Sequence, residues 1–120
     1  PPSSGTILNN VTINGGSTVN LTANAAAQGT LALTSGTLNL AGFTASVGGL
    51  SGTGTVTNNG AATTFTVNNT AAVAFGGLIT DAGSGNPLSL SKSGAFTLTL
   101  NTANTYHGST TISAGTIALG

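Results

Sequence analysis

Residues 88–120 read LSLSKSGAFTLTLNTANTYHGSTTISAGTIALG and set the pattern that the rest of the chain repeats in looser form. Apolar and polar residues alternate here in three short runs, at residues 96–100, 110–113 and 116–119, which small turns rich in Gly and Asn separate. Alternation with a period of two is typical of a β-strand with one buried face. Strands this short are marginal alone, so the pattern predicts strands that stack on further strands.

The same alternation recurs along the whole chain, and no helical periodicity stands out. Candidate strands lie at residues 6–13, 18–22, 30–34, 37–40, 43–47, 53–57, 64–67 and 72–75. Residues 23–28 form the only plausible helix, but they are few and poorly capped. We expect residues 48–52 to connect two strands, and residues 81–87 to form the one longer loop.

A recurring phrase distinguishes a solenoid from other all-β folds. Gly-Thr-Leu/Ile-x-Leu occurs at residues 29–33, 36–40 and 115–119, and recurring strand-turn phrases mark repeat architectures. Short strands at close spacing also suit a sandwich or a barrel. Turns of irregular length and the lack of a large aromatic core favour the solenoid.

The composition excludes several classes of protein. Only 2% of the 120 residues are charged and the formal net charge is zero, while 38% are hydrophobic, which disfavours intrinsic disorder. Without basic charge, neither nucleic acid nor an anionic membrane surface is expected as a partner. A surface with almost no charge promotes association. The absence of cysteine argues against disulfides and thiolate metal sites.

Two further expectations concern membranes and export. No apolar run approaches the roughly 20 residues of a membrane-spanning helix, so we predict no membrane insertion. The first residues, PPSSG, lack the features of a signal peptide. If the protein is exported, we expect this to be a mature or excised form.

The ionisable side chains are too few for catalysis. They are Asp81, Lys92, Tyr106 and His107. Enzymes that cleave polysaccharides use paired carboxylates, and an active site generally needs several convergent groups. A metal site needs three or four ligands. We therefore predict no enzyme, no catalytic or metal site and no cofactor.

The two charged residues have two alternative interpretations. In the first, Asp81 and Lys92 form a surface ion pair between adjacent coils, worth ~0–1 kcal/mol. In the second, Lys92 forms a cross-link to Asn or Asp. The cross-link requires a buried lysine with a depressed pKa. Tyr106 and His107 are expected on a turn.

Asparagine is the more informative polar residue. Many of the asparagines fall at predicted strand exits or turns, where two roles stay open: amide ladders along the solenoid axis and ordinary turn hydrogen bonds. A surface of Thr, Asn and Ser could also contact sugars, although the scarcity of aromatic residues weakens this reading.

Several motifs together carry a family resemblance. These are LSKSG at 90–94, TLTL at 97–100, NTY at 104–106, Gly108, TTI at 110–112 and GTIALG at 115–120. With them, residues 88–120 resemble the autotransporter-associated β-strand repeat, also called the passenger-associated transport repeat. GTLNLAGF at 36–43 and VGGLSGTGTV at 47–56 are similar to the segment that often precedes that repeat. One departure is Ala95-Phe96, where the family pattern more often has Gly.

The resemblance implies the fold class and the setting. We expect an all-β protein, a right-handed parallel β-helix (β-solenoid) of about five coils at roughly 20 to 25 residues per turn. Residues 1–120 are predicted to form a single domain, with N-terminal coils at 1–35 and repeat-like coils at 36–120. The family belongs to bacterial type V secretion passengers, so the resemblance implies an extracellular or cell-surface location.

No cap is evident at either end of the predicted solenoid, and uncapped strand edges template further pairing. We therefore expect a non-enzymatic structural protein that assembles head to tail with itself into a filament. The alternative is an excised stalk or adhesin module of an autotransporter passenger, with host or matrix glycans as the further partner considered. The expected assembly interface consists of Ile7, Leu8, Val11, Ile13, Thr116, Ile117 and Leu119.

Overall fold

A computed structural model describes residues 5–8, 11–102 and 104–120 of the chain, and within them every regular element is a β-strand. The strands are β1 (Gly5–Leu8), β2 (Val11–Ile13), β3 (Thr18–Asn20), β4 (Asn24–Leu33), β5 (Thr37–Asn39), β6 (Ala45–Gly52), β7 (Thr55–Thr57), β8 (Thr63–Val67), β9 (Val73–Phe75), β10 (Leu78–Ile79), β11 (Leu88–Lys92), β12 (Thr97–Leu100), β13 (Thr110–Ile112) and β14 (Thr116–Leu119).

The strands stack in parallel on three faces. Face one runs β1, the first half of β4, the first half of β6, β8, β11 and β13. Face two runs β2, the second halves of β4 and β6, β9, β12 and β14. Face three runs β3, β5, β7 and β10. The prediction of a parallel β-solenoid of about five turns is confirmed.

One coil is longer than the others. Hydrogen bonds between the first coils join residues 19 to 21 positions apart, whereas those that span residues 80–87 join residues 25 to 28 positions apart. Residues 80–87 contain no strand. The predicted longer loop at 81–87 is therefore confirmed.

One local prediction is wrong, and the only segment considered for a helix is a strand. Residues 48–52 belong to β6 instead of connecting two strands, and residues 24–28 of the segment 23–28 lie in β4. Both segments are rich in Ala and Gly, whose weak strand propensity is overridden by parallel partners on both sides. β6 ends at Gly52, whose φ of 99° favours glycine and whose Cβ, if present, would lie 2.0 Å from the Leu33 oxygen.

The interior is a column of aliphatic side chains into which two large aromatic rings fit. Phe65 and Phe75 are fully buried. Phe65 lies opposite Ala45 in the strand register, and the hydrogen bond from the Gly76 amide to the Gly52 oxygen stacks Phe75 on Gly52. Each ring thus lies next to a small residue, which lets adjacent rows interdigitate without overlap.

Buried and exposed phenylalanines should contribute differently to stability. Replacing Phe75 by Ala removes a fully buried ring and leaves a cavity, so we expect it to lower the free energy of unfolding by about 3–5 kcal/mol. The matched control is Phe96→Ala, because 48% of Phe96 is exposed. Urea unfolding followed by circular dichroism measures both; equal midpoints for the two variants would contradict the packing described.

Candidate assembly interface

Buried polar side chains occupy the corners of the solenoid, where the backbone turns between faces. Asn58, at the corner between face three and face one, is fully buried. Its Nδ2 donates to the oxygens of Ala61 at 2.9 Å and Asn86 at 3.1 Å. Its Oδ1 accepts from the amide of Gly42 at 2.9 Å. One side chain thereby connects its own turn to the coils before and after it.

The corner between face one and face two uses the same arrangement in two successive coils. Asn69 Nδ2 donates to Ala71 oxygen, two residues ahead, at 2.9 Å and to Thr97 oxygen of the next coil at 3.1 Å. Lys92 Nζ donates to Gly94 oxygen, also two residues ahead, and to Ala114 oxygen of the next coil at 3.4 Å. Each donor therefore ties its own turn to the coil that follows.

A third polar contact runs along face three. Asn39 Nδ2 donates to Asn20 Oδ1 at 2.8 Å and to Asn59 Oδ1 at 2.9 Å. Asn39 Oδ1 accepts from the amides of Ala41 at 3.1 Å and Asn59 at 3.2 Å. The amide-ladder hypothesis is confirmed for these three asparagines, and the turn hypothesis is confirmed for Asn58, which binds the Gly60 amide at 3.2 Å.

Lys92 does not lie on the surface beside Asp81. It is fully buried, because its strand register places it in an inward column between Val67 and Ile112. Its ammonium contacts carbonyl oxygens, whereas Asp81 contacts His107. The surface ion pair is therefore not formed, and the proposed cross-link from Lys92 stays a prediction. Burial lowers the pKa of Lys92 below 10.5.

The buried ammonium predicts a pH dependence of stability. Because the folded-state pKa of Lys92 is below that of the unfolded chain, the unfolded state binds more protons between those two values. Stability should therefore rise as pH increases through the folded-state pKa towards 10.5. Lys92→Met should remove this rise, because the variant has no ammonium at this position. The measurement is the urea midpoint against pH; a parallel rise in both proteins would rule out Lys92 as its source.

Asp81 anchors the long loop to the following coil. Its carboxylate accepts hydrogen bonds from the amides of His107 at 2.7 Å, Leu88 at 2.9 Å and Gly83 at 3.2 Å. Its Oδ1 also lies 2.6 Å from His107 Nδ1. Desolvation by burial alone would raise the pKa of Asp81, but these hydrogen bonds outweigh it and lower the pKa to about 2. The sequence predicts His107 on a turn but does not predict its contact with Asp81.

Acid should weaken the hydrogen bonds of the Asp81 carboxylate as that group becomes protonated. A folded-state pKa of about 2 against the ordinary 3.8 means that the carboxylate stabilises the fold above pH 3.8 and that this contribution is lost as pH falls to about 2. Asp81 is the only Asp or Glu in the sequence, so few other groups titrate there. We expect the melting temperature of the wild type to fall between pH 4 and pH 2. Asp81→Asn should be less stable at pH 7 and flat across that range; an unchanged slope in the variant would refute the assignment.

The two edges of the strand stack carry the residues predicted to form the interface. The N-terminal edge consists of β1, β2 and β3. Val11 is partly buried, Ile13 is buried and 41% of Val19 is exposed. Ile7 and Leu8 lie in β1, and their side chains fall outside the described part of the structure. An apolar cavity of ≈ 180 Å³ lies at this edge, lined mainly by aliphatic side chains that include Val11, Ile13, Val19 and Leu21.

The C-terminal edge consists of β13 and β14. Leu119 is 83% exposed, Ile112 is 50% exposed, Ile117 is partly buried and Thr116 is exposed. A shallow depression is lined by these aliphatic residues together with Leu100 and Tyr106. The sequence prediction missed Ile112 and Val19, although both stand at the apolar position of an alternating run. The structure thus places the predicted residues on two opposite edges.

Two features are absent from the part of the chain that the structure describes. No group of three or more His, Cys, Asp or Glu residues is close enough to hold a metal ion. No helix there is long and apolar enough to cross a membrane.

The fold and its two apolar edges define a β-solenoid repeat protein. Residues 90–119 match the family model of the passenger-associated transport repeat, a repeat associated with autotransporter passengers, so this segment carries that repeat as its motifs predict. The resemblance seen in the sequence extends further towards the N-terminus, to residue 36, but residues 36–89 lie outside the family-model match. No curated protein and no solved structure matches the chain.

The matched segment has a simple structural meaning. It runs once around the solenoid and overlaps itself, because β11 pairs with β13 and β12 pairs with β14. Lys92 and both of its carbonyl acceptors fall inside it. The repeat therefore contains both strands of two pairings and the side chain that ties the two coils together.

Proposed function

We propose that the chain is a non-enzymatic structural module of a bacterial exported protein, located at the cell surface or outside the cell, which stacks end to end into a fibre. The observation that carries the proposal is the pair of strand edges with apolar inward positions at opposite ends of the stack. A structural role also agrees with the ionisable groups, since Asp81 and Lys92 are both engaged in holding coils together.

Exposed apolar surface supports stacking at the C-terminal edge. A strand edge with unpaired backbone groups is a template for another strand, and natural proteins usually cover or charge it. Here Leu119 is 83% and Ile112 is 50% exposed, and the strands that carry them contain no charged residue. Burying such side chains contributes about 25 cal/mol for each Å² of apolar area removed from water.

The absence of repulsion supports the same conclusion. Lys92 is fully buried, and the Asp81 side chain is covered by the contacts with His107. The described strands at the two edges, β1, β2, β3, β13 and β14, contain no Asp, Glu, Lys or Arg. Two edges without like charges approach each other with no electrostatic penalty.

A second candidate is a stalk or adhesin module of an autotransporter passenger, in which further coils of one long chain cover the edges. The repeat match at residues 90–119 favours it, since the family is associated with such passengers. Host or matrix glycans remain a proposed partner in that setting. The loop at residues 80–87 is the candidate contact, although Asp81 fastens it to the following coil.

Charge at the C-terminal edge separates the two candidates. For a fibre, we expect wild-type protein to form rods by electron microscopy and to sediment far above 11.3 kDa, while Leu119→Lys stays a folded monomer. Ile117→Lys should act in the same way. The matched control is Phe96→Lys, which also places charge on an exposed apolar residue but lies outside both edges, and it should assemble like the wild type.

Two results would contradict the fibre. One is wild-type protein that remains an 11.3 kDa monomer at high concentration, which favours the passenger module. The other is Leu119→Lys that assembles as well as Phe96→Lys does.

A further inference from the structure

We infer that the partner of the C-terminal edge is the N-terminal edge of a second copy, seated so that face two continues in register with Ile13 above Leu119 and Val11 above Ile117. This inference rests on the proposed end-to-end stacking and specifies its register and polarity. It predicts a heterologous contact, in which different surfaces of the two copies meet.

The columns of face two determine the register. Leu119 pairs with Leu100 and Leu100 with Phe75. The hydrogen bond from the Gly76 amide to the Gly52 oxygen aligns Phe75 with Gly52, so Gly52 is the next member of the column. Gly52 pairs with Leu33, and Leu33 pairs with Ile13.

Ile13 and Leu119 are thus the first and last members of one inward column. Ile117 and Val11 are the ends of the neighbouring column, which passes through Leu98 and Leu31. Seating a second copy in register continues both columns with aliphatic residues on each side of the joint.

Both edges carry apolar surface. The C-terminal edge projects Leu119 and Ile112, the large hydrophobic residues most exposed there. The N-terminal edge holds the apolar cavity of ≈ 180 Å³, which Val11 and Ile13 help to line. Apolar cavities of about 150 Å³ stay dry and accept apolar guests. The cavity therefore favours aliphatic side chains of the other edge over a polar partner.

The size of the edge is sufficient for a specific contact. The described molecule measures 33 × 30 × 30 Å along its principal axes. An end about 30 Å across presents on the order of 700 Å², close to the roughly 800 Å² per partner of a standard stable interface. The edges lack charged side chains that would direct a different orientation, so strand register and side-chain shape determine the fit.

Disulfide trapping tests the register directly, because the chain has no native cysteine. Four single variants are prepared: Val11→Cys, Ile13→Cys, Ile117→Cys and Leu119→Cys. Each is mixed with each of the others under mild oxidation, and dimers are quantified on non-reducing gels. Adjacent parallel strands lie about 4.8 Å apart, within the Cα separations that a disulfide bridges.

The expected result is preferential linkage of position 13 to 119 and of position 11 to 117. The shifted pairs, 11 with 119 and 13 with 117, are matched controls. A shift of two residues puts their Cα atoms about 8 Å apart, beyond disulfide reach, so they should form roughly tenfold less dimer. Circular dichroism confirms that each variant is folded; if Ile13→Cys unfolds, the pair 11 and 117 still decides the register.

The remaining outcomes overturn the inference in distinguishable ways. Preferential linkage of a shifted pair means another register. Linkage of a variant only to itself means an isologous contact between like edges. No linkage among assembled rods refutes the register while end-to-end stacking stands. No linkage and no assembly of wild-type protein refutes the proposed function and the inference together.

Discussion

Three corners of this solenoid depend on buried hydrogen-bond donors. Where the chain turns from one face to the next, backbone carbonyls leave the strand ladder and need a partner, since an unsatisfied buried polar group costs about 1–3 kcal/mol. At these three corners Asn58, Asn69 and Lys92 supply the partner, and each donates both to its own turn and to the next coil. The same atoms that close one turn therefore attach the coil that follows.

Packing inside the column obeys a second constraint, which is the fixed spacing of about 4.8 Å between rows. Each buried phenylalanine ring has a small residue in the preceding row, Ala45 beside Phe65 and Gly52 beside Phe75. Alanine and glycine in β4 and β6 thus help the interior to pack, although they are poor strand formers. These two constraints together explain why a chain with so few charged and aromatic residues folds.

Much of the fold was predictable from alternation, because period-two runs such as Thr97–Leu100 and Thr116–Leu119 are strands in which apolar residues face inward. The strand segments at 24–29 and 48–52 were not predictable, since their conformation comes from neighbouring coils that are distant in sequence. The burial of Lys92 was missed for a related reason. Its place between Val67 and Ile112 depends on the register of three coils, whereas its local sequence is polar.

The candidate interface was predictable in part. Leu119 and Ile117 stand at the inward positions of the last strand, and the structure exposes Leu119 as expected of an edge. The cavity that Val11 and Ile13 help to line could not be predicted, because residues of later coils, such as Ala25 and Ala45, also line it. The contact between Asp81 and His107 joins positions 26 residues apart across the long loop, a spacing that differs from that of the early coils.

Fibre diffraction from aligned protein tests whether copies of this solenoid stack along its axis through their strand edges. We expect a meridional reflection near 4.8 Å, because the strands run across the axis and successive rows continue through each joint. A reflection near 4.8 Å that lies on the equator would refute this stacking, since the strands would then run along the fibre. So would scattering from isolated monomers alone at every concentration.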